Sequence, residues 1–270
     1  MFMEHANPKP ETGAVVVKTT QKTLLRLLIL ALLLFLAVGG FCYYKLVYLP
    51  RKIDREAMRY YPIVNIILRT SQMAQVDFNK LGSVPYGSEL ITYEFGPEWS
   101  HVKVNASDKE KRLEGYVSSL YLINKTDFYL LHSIFGDEES KLDIATAKCR
   151  TALLNYFKGN RFIGKMTPAA LAESGLDIVP DDTNQWQVFT RKEKPNSTYF
   201  RKLIDPHSKY SDFAVIIKNI NTGERRLLYF YFAEDESPIL AKEEAAPVSG
   251  YIEKISYNGK KGDFTIQYTQ

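Results

Sequence analysis

Two cysteines in 270 residues are too few for a disulfide framework. Cys42 lies in an apolar run and Cys149 in a stretch with helical spacing, so neither reveals the redox compartment. Histidine is just as sparse. His5, His101, His132 and His207 are scattered, and none stands at metal-ligand spacing from a cysteine or an acid. The chain has no glycine-rich phosphate loop and no G-x-S-x-G elbow. The expectation is a protein that is not an enzyme, with no cofactor and no metal. The acids Asp137-Glu138-Glu139 and Asp181-Asp182 read as solvated groups before a helix and in a loop. Carboxylates paired across the fold leave a cell-wall hydrolase reading open. Charge of one sign is missing too. The 35 basic residues are dispersed among 31 acidic ones for a net +4, so no basic face for nucleic acid is expected.

What is present is one long apolar run, residues 27–47, LLILALLLFLAVGGFCYYKLV. It carries no charge from Leu27 to Tyr44. At ~1.5 Å per residue such a run crosses the ~30 Å hydrocarbon layer. Lys22 and Arg26 precede it, Lys45 and Arg51 follow it, and Tyr43, Tyr44 and Tyr48 sit where interfacial aromatics belong. A single transmembrane helix fits best. A cleaved signal peptide is the competing reading, because Ala37-Val38-Gly39 offers small residues at the right offsets. The apolar run continuing through Phe41, Tyr43 and Tyr44 weighs against it. Phe41 directly before Cys42 disfavours a lipoprotein, and the lack of a polar face disfavours a buried core helix. Cys42 then reads as an inert residue in the bilayer. Basic residues on the two sides nearly balance, so charge alone leaves the orientation open.

Residues 1–26 read as a disordered tail with Pro8, Pro10 and Gly13, and residues 48–62 as a charged stalk between Pro50 and Pro62. Arg51, Lys52, Arg55 and Arg59 in the stalk suit ordinary helix-end charges or contact with anionic headgroups. From Ile63 short strands follow, at 64–70, 81–86, 89–94, 98–104 and 115–122, with a turn at Pro85-Tyr86-Gly87 and a polar loop at 105–112. Five short strands in this span imply a small closed or half-closed antiparallel barrel.

The motifs Leu68-Arg69-Thr70, 82–88 (GSVPYGS), 99–104 (WSHVKV) and 114–122 (EGYVSSLYL) give this segment its character. Together they resemble the bacterial SH3 (SH3b) family, with its Arg-containing first strand, "pxG" turn, "W-x-x-V" strand and terminal "GYV-x-x-x-YL". The resemblance covers about residues 63–123. It departs at Thr70-Ser71-Gln72, where a different turn is usual, and in the long 105–112 loop. It implies a small all-β SH3-like barrel at 63–124 and a binding module in a bacterial envelope protein, with peptidoglycan or an envelope protein as partner. A single pass through the bacterial inner membrane, with the C-terminal domains periplasmic or extracellular, follows from that domain type. In a shallow groove lined by flat rings, Tyr86, Tyr93, Trp99, Tyr116 and Tyr121 are the candidate ligand-binding residues. In so small a barrel Trp99 and Tyr116 fit the core or half-core better than a ligand contact, whereas Tyr86 and Tyr121 suit exposure better.

Residues 125–270 form an α+β domain of a type no motif selects. Residues 126–136 read as a short helix capped by Thr126. Residues 141–158 read as a longer one, with Leu142, Ala145, Cys149, Ala152, Leu153, Tyr156 and Phe157 on one stripe. Cys149, mid-helix and without a nucleophile motif, reads as core. Thr167-Pro168 and Gly175 bracket a compact helix. Candidate strands at 186–191, 213–219, 226–232, 251–257 and 263–269 follow, with turns at Asn221-Thr222-Gly223-Glu224 and at 258–262. The expected layer is the 141–158 stripe across an antiparallel sheet. The main reading is a wall-binding or tethering module, the alternative is a scaffold whose C-terminal domain holds a protein partner while the SH3b-like part supports it, and a cell-wall hydrolase ranks below both.

Overall fold

In the computed structural model the described residues are 13–74, 77–104, 113–135, 147–189, 201–204, 211–233, 237–257 and 264–269. The chain divides into two units between Ala57 and Met58.

The first unit is helical. Helix α1 spans Gly13–Tyr43, a π-helical turn Tyr44–Tyr48 follows, and α2 spans Leu49–Glu56 with Pro50 in its first turn. Pro is tolerated there because its missing N–H would lack an intrahelical partner anyway. The helix from Thr23 to Glu56 is long and apolar enough to cross a membrane, and none of its apolar window is buried. It begins earlier than the sequence suggested, since residues 13–26 are helical rather than irregular. Once the apolar run nucleates a helix, each added residue gains a hydrogen bond at little cost.

The second unit opens with β1 (Met58–Pro62), in the segment expected to be stalk. The strands β2 (Ile66–Arg69), β3 (Lys80–Val84), β4 (Leu90–Phe95), β5 (Trp99–Val104), β6 (Glu114–Ser118) and β7 (Leu122–Asn124) join it. Among the described residues they form one seven-stranded sheet in the order β3-β2-β6-β5-β4-β1-β7. Of the closed or half-closed barrel expected from the sequence, the closed form is corrected, because the described ladder is open between its edges β3 and β7. Strand β1 is the physical reason. It pairs antiparallel with both β4 and β7 and so extends the sheet instead of letting it close. The 105–112 loop lies outside the described residues.

The open face is filled by helices. Helix α3 (Lys125–Phe135) follows β7 directly, then come α4 (Ala147–Asn160) and α5 (Pro168–Ser174). The acids at 137–139 and the first turn expected of α4, with Leu142 and Ala145, lie outside the described residues. Helix α5 is built as its sequence dictates. The Thr167 hydroxyl accepts from the Ala170 N–H at 3.2 Å, and Gly175 ends the helix at φ +70°. A second sheet, β12-β11-β10-β8 with β9 also on β10, comprises β8 (Trp186–Val188), β9 (Arg201–Ile204), β10 (Ser211–Asn219), β11 (Arg225–Phe232) and β12 (Pro238–Ala245). The hairpin β13 (Tyr251–Tyr257) with β14 (Phe264–Thr269) stands apart in pairing.

Both halves share one core. Leu68, Leu90, Val102 and Val117 of the first sheet, Leu131 and Ile134 of α3, Cys149, Leu153 and Phe157 of α4, and Phe213, Ile217 and Leu228 of the second sheet are buried together. The α4 stripe packs across the second sheet as expected, with Tyr156 edge-on to Phe230 at 6.4 Å. The far side of that sheet carries a smaller core of Ala214, Ile216, Leu227, Tyr229 and Ile252, covered by β13 and β14. Strand β12 escaped the sequence reading because its face is mostly exposed and its Ala-Lys-Glu-Glu run suits a helix equally well.

Two tests follow from this packing. A Cβ on Gly115 would overlap the Arg69 carbonyl oxygen, whereas one on Gly159 meets nothing. Gly115→Ala should destabilise by about 2 kcal/mol or more, and Gly159→Ala should stabilise by up to about 1 kcal/mol, in denaturant unfolding. The Tyr61 phenol, pushed up to about 12 by burial and by Glu89 beside it, is the second. A tyrosine raised above its unfolded value contributes stability that is complete below about pH 10 and is lost as pH climbs toward 12. Wild-type stability should therefore fall more steeply than that of Tyr61→Phe between about pH 10 and 12, read by urea midpoints.

Candidate functional site

Alternation along β5 and β6 decides which side chains reach the open surface. Ser100 and Val102 are buried, while Trp99, His101 and Lys103 are half-buried on the other face. On β6, Gly115 and Val117 are buried, and Glu114, Tyr116 and Ser118 face out. Register then sets Trp99 opposite Ser118, His101 opposite Tyr116 and Lys103 opposite Glu114. A bulge lies between Thr92 and Glu94 of β4, so Tyr93 is the extra residue and its ring is re-aimed toward β5.

The result is an aromatic strip across three strands. The Tyr93 ring lies 5.5 Å from His101, and His101 lies 5.0 Å from Tyr116, both tilted. The His101 Nε2 faces Glu114 Oε1 at 3.2 Å. Such a strip offers flat, half-dry contact, hydroxyl and imidazole hydrogen bonding, and one carboxylate beside a lysine. Among the described residues, no group of three His, Cys, Asp or Glu is placed to hold a metal ion.

Of the five tyrosine and tryptophan candidates, the structure brings Tyr93 and Tyr116 together through His101. Trp99 shares their face of the sheet, two residues before His101 on β5. Tyr121 is instead partly buried against the main core in the short 3-10 turn after β6. Tyr86 belongs elsewhere. Its N–H donates to Asn65 Oδ1 at 2.8 Å, and its ring lies 5.7 Å from Phe128 and 4.6 Å from the Arg150 guanidinium. All five rings are half-buried, so burial does not set Tyr86 and Tyr121 apart as an exposed pair. His101 and Glu114 were missed as site members. Their signal was the two-residue alternation in Trp99-x-His101-x-Lys103 and Glu114-x-Tyr116, which places them on one face once the strands are paired.

Behind Tyr86 lies the junction of the two halves. Arg150 of α4 is fully buried, and its Nη1 donates to the Ile63 carbonyl oxygen. The guanidinium lies between the rings of Tyr86 and Phe135, 4.6 and 5.7 Å from their centroids. Phe128 of α3 stacks on Tyr61 of β1 at 4.6 Å, and the Tyr61 hydroxyl donates to Glu89 Oε2 at 3.2 Å. Glu89 also pairs with Arg59 at 3.3 Å. This cluster is structural. It ties β1, the 85–88 turn, α3 and α4 into one body.

Compared with known proteins, the chain matches no family model, no curated protein and no solved structure.

The strip and the junction should separate in mutagenesis. Arg150→Ala opens a cavity and strips the Ile63 carbonyl of its donor, and should cost about 3 kcal/mol. Tyr93→Ser, on the half-exposed strip, should cost about 1 kcal/mol or less. Chemical denaturation of both variants measures the difference.

Proposed function

We propose that this chain is a single-pass envelope protein whose SH3b-like sheet binds or tethers a cell-wall peptide through the Tyr93–His101–Tyr116 strip. The observation that carries the reading is the convergence of two candidate tyrosines on one imidazole, with Glu114 alongside, on an outward sheet face. Rings in this setting supply contact area at low entropic cost, and the carboxylate suits an amine on the ligand. The apolar helix supports the anchoring half of the proposal. Orientation with the large unit outside the cytoplasm comes from the SH3b resemblance and is part of the proposal.

A second reading rests on the shared core. The SH3b-like strands are packed into the same interior as α3, α4 and the second sheet. A module so embedded suits a scaffold in which the whole body presents a surface to a protein partner of the envelope.

Sedimentation of the 58–270 unit with purified peptidoglycan sacculi tests the first reading. Wild-type protein should pellet at low salt, and Tyr93→Ser/Tyr116→Ser should lose about tenfold or more of its affinity while keeping its fold, since central aromatic contacts dominate such sites. Equal binding by both proteins would contradict the strip as the ligand site, and no binding by either would favour the protein-partner reading.

A further inference from the structure

Helix α2 has a sided charge distribution that the wall-binding reading leaves unused. At ~100° per residue, Arg51, Lys52 and Arg55 fall within about 100° of one another, Asp54 and Glu56 flank that face on either side, and Leu49 and Ile53 lie opposite it. All three basic residues are exposed. Lys52 has only a long 3.9 Å contact to Glu56, with both side chains mostly in solvent, so its charge remains open to other partners. Arg59, next along the chain, is different, being paired with Glu89.

The place of this face along the chain gives it a partner. Helix α2 follows the apolar helix through the π-helical turn Tyr44–Tyr48, in which Tyr44 stacks on Tyr48 at 5.6 Å. Tyrosines at the end of an apolar helix mark the headgroup level. Eight residues of α2 extend only about 12 Å beyond it, within reach of lipid phosphates. We infer that Arg51, Lys52 and Arg55 of α2 form a binding face for anionic phospholipid headgroups, selecting the lipids around the anchor. The inference rests on α1 spanning the bilayer, but it is independent of the SH3b reading and holds for either orientation. Basic residues near the C-terminal end of a helix also complement its dipole, and that role alone would bring no lipid preference.

The test uses the full chain reconstituted in phosphatidylcholine vesicles with trace spin-labelled phosphatidylglycerol or phosphatidylcholine. Electron paramagnetic resonance then reads the motionally restricted lipid at the protein surface. Wild-type protein should favour the anionic label by about twofold or more, and the preference should shrink as salt rises. The variant R51Q/K52Q/R55Q should lose most of that preference with unchanged circular dichroism, whereas K18Q/K22Q/R26Q should retain it. No anionic preference in the wild type, or a wild-type preference kept by R51Q/K52Q/R55Q, overturns the inference. Absence of restricted lipid of either kind overturns the spanning helix itself, and this inference with it.

Discussion

A guanidinium with no access to water sits where the two halves of the large unit meet. Arg150 reaches from α4 to the Ile63 carbonyl just after β1, with the rings of Tyr86 and Phe135 against its faces. A buried charge is costly unless its surroundings satisfy it. The turn that carries Tyr86, the start of β2 and the helix pair α3–α4 must therefore keep their places together. The open sheet follows from the same constraint. Its inner face need not close on itself, because α3, α4 and the second sheet supply the other side of the core.

This arrangement leaves the side chains of the outward face of the first sheet half-buried or exposed. Residues that hold the unit together point inward, as Val102, Gly115 and Val117 do, and residues between them present His101, Glu114 and Tyr116. The bulge at Tyr93 adds a ring to that row. Core packing and the proposed ligand contacts thus fall to alternate residues of the same strands.

Much of this was legible in the sequence where local chemistry is decisive. The uncharged run from Leu27, the Thr167-Pro168…Gly175 brackets of α5 and the Gly223 turn between β10 and β11 were all readable before folding, because caps, turns and long apolar runs carry their own signals. The strands expected at 64–70, 81–86, 89–94 and 98–104 were placed to within two residues, whereas 115–122 divides into β6, a 3-10 turn and the start of β7. Long-range pairing was not readable. Strand β1 looked like stalk because Met58–Pro62 carries no alternation that names its neighbours β4 and β7. Arg150 was not singled out, since a lone arginine in an α4-like pattern gives no hint that rings and a carbonyl await it. Tyr86 looked exposed on its turn for the same reason, and His101 looked isolated until β4, β5 and β6 were set side by side.

The central claim is that the SH3b-like strands and the α+β part are one cooperative body. The chain's two tryptophans fall one in each half, Trp99 on β5 and Trp186 on β8. Equilibrium urea unfolding of the single-tryptophan variants Trp186→Phe and Trp99→Phe, each compared with far-ultraviolet circular dichroism of the same variant, reads the halves separately. A shared core predicts that within each variant the fluorescence and circular dichroism transitions coincide in midpoint and slope. A half that loses its tryptophan signal in a transition of its own, while the rest of the secondary structure survives, would contradict it.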